Sequence, residues 1–194
     1  MKYKILYQMK KRVMSALLGG TSTCNVCNRT DEEHIQIPIF GIEFNKVNEG
    51  KFGDFEWMID QKEYENSLFI FNDNEQDHDT PNKGGGNATI RPYNKYGYLT
   101  RGLLQPRSAG ISTGTLGKGY ESLSEGVKSH IDKCVDEIKD LLKHCQYNSI
   151  FFSVDKNQGL GTGIFVVNEE VKKYIKTQIL ILSSGPVTYP TSTD

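Results

Sequence analysis

Three short stretches of this chain carry side chains and backbone suited to holding a ligand. The first is Asn72-Asp73-Asn74, followed by His78, by Gly84-Gly85-Gly86-Asn87 and by Arg91. The second is Ser112-Thr113-Gly114-Thr115-Leu116-Gly117, and the third is Asp155 followed by Gly159-Leu160-Gly161-Thr162-Gly163. Glycines in series let the backbone approach a ligand and turn N–H groups toward it, so such loops hold phosphates without a lysine. Asn72 and Asn74 supply short donors and acceptors suited to a base or a ribose. Arg91 could clamp a phosphate or pair with Asp73. Asp73, His78 and Asp155 are the groups able to activate a water. Together the stretches suit a nucleotide-sized site, with the diphosphate held by two or three glycine loops at one rim.

Any α/β protein makes turns from Gly, Asn and Asp, so one such loop carries little weight. Three at consecutive strand ends carry more, because adjacent strands would bring them together. Lone His78 is the weakest signal, since a loop histidine is commonly structural. The Gly84–Gly86 run is not followed by Lys-Ser or Lys-Thr, and "GLGTG" lacks the full dinucleotide fingerprint. Kinase, GTPase and ordinary dehydrogenase chemistry are disfavoured.

The elements that must position these loops are short apolar runs: "SLFIF" (67–71), "RSAGIST" (107–113) and "SIFFSVD" (149–155), each expected as a parallel strand. Between the second and third, Leu123, Val127, Ile131, Val135, Ile138, Leu141 and Leu142 recur at helical spacing. A last helix is expected from the N-cap Asn168, with Glu169 and Glu170 in its first turn. Upstream, "HIQIPIFGIEF" predicts a strand and "DFEWMID" one or two helical turns. "KYKILYQMKKRVMSALL" fits an amphipathic helix or a strand followed by a helix equally well. The order predicts a single three-layer α/β domain with a largely parallel, mixed sheet, whose ligands sit beyond the carboxyl ends of its strands. Residues 1–66 form an N-terminal elaboration of that domain, 67–182 the core, and 183–194 a mobile tail or surface strap.

A chain of 194 residues can bury one real core. Its 23 basic and 24 acidic side chains leave a net charge of -1, and no segment gathers a phosphate-backbone footprint. Nucleic acid is not an expected partner. No apolar run approaches the roughly 18 residues of a membrane span, so a soluble, cytoplasmic protein is expected, with its four cysteines reduced. Cys24 and Cys27 have the spacing of half a zinc site, and His130 with Cys134 would complete four ligands. No second Cys-x-x-Cys exists, so no metal ligand is assigned and no cofactor is expected.

"LFIFNDNEQDH" with "GGGNATIR", then "SAGISTGTLGKGYESL" before a long helix, resembles the macro domain pattern. In overall layout the chain is also similar to an uncharacterised family of bacterial and phage proteins. That family has a Gly-Asp-Asn strand end, a Gly-Gly loop, a Gly-Ile-Pro-Thr loop and a later Gly-Leu-Gly-Thr-Gly loop. The resemblance covers residues 67–182 and implies a macro-like or Rossmann-like fold. It implies binding of ADP-ribose or a related NAD-derived nucleotide: Asn72 or Asn74 on the distal ribose, Gly84–Gly86 lining it, and the 112–117 loop on the diphosphate. The chain departs in a longer interval from Asn74 to the glycines and in the residues after them, which favours binding over catalysis. Three functions stay open: sequestration of a signal nucleotide, as a phage anti-defence protein would do; hydrolysis of ADP-ribosyl groups; and a structural interaction protein whose loops only make turns.

Overall fold

Strands that are buried on both sides belong inside a sheet covered on two faces. In this chain those strands are β1 (Ile39–Glu43), β2 (Ser67–Asn74), β3 (Ser108–Thr115) and β5 (Ser149–Val154), joined by the two-residue β4 (Lys118–Gly119) and β6 (Val187–Thr188). They form one sheet in the order β4-β3-β2-β5-β1-β6, parallel throughout except for β4. The computed structural model describes residues 37–43, 50–182 and 187–188. Cys24 and Cys27 lie outside the described residues, as does the ambiguous helix or strand of the first twenty positions.

Period-two alternation divides the strands between two apolar clusters. Leu68, Ile70, Ile150 and Phe152 face helices α2 (Glu125–His144) and α3 (Glu169–Leu180). Phe69, Phe71 and Phe151 face the other layer, made of α1 (Phe55–Asp60) and a 3-10 helix, Gly86–Tyr93. Phe40, Phe151 and Phe69 stand in register across β1, β5 and β2, and each successive pair of rings stacks at 5.2 Å. Offset aromatic stacking along one row adds to area burial and locks the register.

The helices start where the sequence supplies caps. Asp54 accepts from Glu56 N–H at 3.0 Å, and Asn168 accepts from Glu170 N–H at 2.9 Å. The long helix begins at the cap Ser124, which accepts from Val127 N–H at 3.3 Å, and buries Ile131, Cys134, Val135, Ile138 and Leu142. These agree with the expected α/β architecture. Three features differ. Asn72-Asp73-Asn74 and Ser112–Thr115 continue β2 and β3 as strand rather than loop, because the two strands stay paired through Asn74 and Gly114. The tail is not wholly a strap: Val187 and Thr188 pair with Ile39 and Phe40, since β1 would otherwise present open backbone groups on that side. β1, within the stretch expected as an N-terminal elaboration, lies between β5 and β6 and so belongs to the core.

Arg107 holds two layers together. Its Nη1 donates to Ile59 O at 2.5 Å and its Nη2 to Tyr64 O, so one buried guanidinium caps the end of α1 and the short 3-10 turn that follows.

Candidate functional site

β2 and β5 are neighbours, yet the connections leaving them go opposite ways. The chain after β2 runs through the Gly86–Tyr93 helix, on the face with α1, to β3 on one side. The chain after β5 runs through α3, on the opposite face, past β1 to β6 on the other side. Adjacent parallel strands whose connections diverge leave a crevice at their carboxyl ends.

The first and third expected loops meet at that point. Asn72 Nδ2 donates to Gly161 O at 2.5 Å. Gly86 has φ +58 and lies against Ile164, whose Cδ1 would be 2.9 Å from a Cβ at that position. Only glycine combines that backbone with that approach. Ile164 and Phe165 remain exposed, at 59% and 41%, so the glycine loops are flanked by apolar surface. Asn74 Nδ2 donates to Asp77 Oδ2 at 3.2 Å, while its Oδ1 is buried without a hydrogen-bond partner.

Asp155 is used locally: its Oδ1 accepts from Asn157 N–H at 2.8 Å and Gly159 N–H at 2.9 Å, closing the turn after β5. Ser112 and Thr113 are buried within β3, and Thr115 Oγ1 accepts from Gln76 Nε2 at 2.5 Å. The turn between β3 and β4 falls on Leu116 and Gly117, at φ 51 and 74, as a tight two-residue hairpin requires. Gly84 and Asn87 lie in the β2–β3 connection; Gly84 packs on the Arg91 guanidinium, Gly85 caps the 3-10 helix, and Asn87 is buried. Thr162 is half-buried beside Gly161.

Arg91 pairs with Asp73. Its Nε and Nη2 donate to Asp73 Oδ1 at 2.9 and 2.6 Å, and its Nη1 donates to Asn82 O at 2.7 Å. Asp73 Oδ2 faces His78 Nδ1 at 3.4 Å, and His78 Nε2 lies 3.2 Å from Glu137 Oε2, which also receives Lys95 Nζ at 2.7 Å. Lys95, Glu137, His78, Asp73 and Arg91 thus alternate in sign from α2 to the glycine loop. Burial alone would lower the His78 pKa, but hydrogen bonds to Asp73, Cys134 and Glu137 outweigh it and push it up to about 12. Burial would raise Glu137, yet His78 and Lys95 hold its carboxyl down at about 2. His78 is therefore an imidazolium at neutral pH, with its proton held between carboxylates. Asp73 is neutralised on both oxygens. Neither is poised as a general base.

Of the four residues weighed as zinc ligands, the two described ones have other contacts. His130 Nε2 lies 3.0 Å from Ser112 Oγ, and Cys134 is fully buried with its Sγ 4.0 Å from His78 Nδ1. Sequence patterns did not point to Lys95 or Glu137, and marked Gly110 only as the first residue of the 110–114 loop in the family resemblance. Gly110 is needed because a Cβ there would meet Asp73 Oδ2 at 2.3 Å. Glu137 falls on the polar side of the helical repeat, where a charge is ordinarily solvated. A histidine 59 residues away converts it into a partner, and nothing in the spacing announces that.

No family model, curated protein or solved structure matches this chain.

Proposed function

We propose that the crevice at the carboxyl ends of β2 and β5 binds an ADP-ribose-type nucleotide and holds it intact. The observation that carries this reading is the divergence of the two connections at those adjacent strands, with Asn72 bonded to Gly161 across the gap. The surroundings suit such a ligand. Gly84, Gly159 and Gly161 donate their N–H groups within the chain, to Ala88 O, Asp155 Oδ1 and Ser153 O, so the remaining N–H groups of the two glycine stretches are the ones offered to phosphate oxygens. Ile164 and Phe165 offer apolar surface to a base. Sequestration is favoured over hydrolysis because Asp73 and His78 are committed to ion pairs and Asp155 to its own turn. A role in neutralising a nucleotide signal, of the kind a phage uses against its host, accords with binding without turnover.

The test is to incubate the protein with ADP-ribose, NAD and cyclic ADP-ribose, remove free nucleotide, heat to release what was bound and identify it by mass. Intact recovery is expected. A cleaved product favours the hydrolase, and no retained nucleotide at all favours an interaction protein whose loops only turn the chain. Asn72→Ala is expected to weaken binding at least tenfold, about 1.4 kcal/mol, while leaving the far-UV spectrum unchanged. Unchanged affinity in that variant would place the ligand elsewhere.

A further inference from the structure

The charged chain ends at the protein surface in a cluster that the nucleotide crevice does not use. A ring nitrogen of His78, a carboxylate oxygen of Asp79 and one of Glu137 all lie within 4.8 Å of one another. We infer that these three side chains bind one divalent transition-metal ion of the zinc class.

The spacing is close to that of a ligand set. Zinc holds nitrogen and oxygen at about 2.0–2.2 Å, which puts tetrahedral neighbours about 3.3 Å apart. His78 Nε2 and Glu137 Oε2 are 3.2 Å apart, and the exposed Asp79 draws in by releasing Tyr96 Oη. One imidazole and two carboxylates suit zinc, iron or manganese, and three protein ligands leave a coordination position open to solvent.

The histidine is also aimed for the task. It is only 6% exposed, and its Nδ1 lies 3.4 Å from the buried Asp73 Oδ2. A carboxylate behind one ring nitrogen is the arrangement that fixes a metal-binding histidine and raises the basicity of the other. Gly110 makes that possible by leaving room for the carboxylate. Asp73 lies outside the three-residue cluster and orients it from within the core.

Charge and access agree. Arg91 is answered by Asp73 and by Asp77 at 3.9 Å, while Glu137 faces His78 and Lys95, and Asp79 faces Tyr96, Lys133 and His78. A cavity of about 20 Å³ is lined by His78, Lys95, Cys134 and Glu137, and Lys95 and Glu137 also line an open groove of about 550 Å³ outside it. Lys95 Nζ already rests on Glu137, and Tyr96 Oη donates to Asp79 Oδ1 at 2.6 Å. On binding, the His78 Nε2–H bond breaks, its electron pair forms the metal bond and the proton leaves to solvent. Lys95 withdraws on its flexible stem.

The experiment uses the full chain carrying Cys24→Ser and Cys27→Ser, treated with chelator and titrated with zinc chloride by calorimetry. Cobalt(II) is added separately as an absorption probe. One zinc per chain is expected, weakened at least tenfold by Asp79→Asn and by Glu137→Gln, with a cobalt spectrum lacking a sulfur charge-transfer band. Asp79 is exposed, so its variant tests the site without disturbing the core. Failure to bind zinc, affinity unchanged in Asp79→Asn, or a sulfur band pointing to Cys134 or Cys145 would each overturn the assignment.

Discussion

Replacing Arg91 by methionine tests whether the ion pair at the end of β2 is structural. The Arg91 and Asp73 side chains are 3% and 1% exposed, and both guanidinium contacts fall on the same oxygen, Oδ1. Methionine keeps much of the stem and removes the charge, leaving Asp73 with the Asn74 N–H at 2.8 Å and His78 at 3.4 Å. Removing one partner of a buried pair costs about 3–5 kcal/mol, and the remaining imidazolium places this case near 3 kcal/mol. For a chain of this size that lowers the melting temperature by about 6–12 °C. Urea unfolding followed by circular dichroism should show a lower midpoint at an unchanged slope. Adding Asp73→Asn to Arg91→Met removes the stranded charge, so the double variant should lose less than the sum of the singles, with a coupling of about 1–3 kcal/mol. A single variant within 1 kcal/mol of the parent, or strictly additive singles, would refute the pairing as a stabilising element.

Further predictions concern the same network. His78 has its pKa raised from 6.5 to about 12, so its contribution is complete below pH 6.5 and is lost as pH rises toward 12. Glu137 is lowered from 4.5 to about 2, so its contribution is complete above pH 4.5 and is lost as pH falls toward 2. Stability of the metal-free protein should therefore be highest between about pH 4.5 and 6.5, with each titrating proton worth at most about 1.4 kcal/mol per pH unit. Thermal melts across pH check this, and His78→Gln should flatten the alkaline limb; an unaltered limb would contradict the assignment. Gly110→Ala, with a Cβ 2.3 Å from Asp73 Oδ2, should destabilise by about 1–3 kcal/mol in urea titrations. A neutral outcome would mean that the carboxylate shifts without cost.

Much of the scaffold is legible in residue order. Leu68 to Phe71 and Ile150 to Phe152 are continuous apolar runs, which mark strands buried on both faces, and Asn168 before Glu169 and Glu170 marks a helix start. These are local signals, carried by neighbours in sequence. Less legible were the ends of the strands. Asn72-Asp73-Asn74 and Ser112–Thr115 look like loop because polar and glycine residues disfavour strand, yet pairing between β2 and β3 overrides that preference. Likewise, two tail residues became strand only because β1 offered them backbone partners.

What the sequence by itself determined is the set of elements and the loops that could carry a ligand: apolar periodicity, caps and glycine runs act over a few residues and need no partner. Which groups meet was decided by the tertiary structure alone. Arg91 reaches Asp73 across 18 positions, His78 reaches Glu137 across 59, and Asn72 reaches Gly161 across 89. Whether a carboxylate is a free base or half of an ion pair depends on burial and on the nearest opposite charge. Both are set when the sheet closes between its two helical layers, and neither is written in the spacing of the residues along the chain.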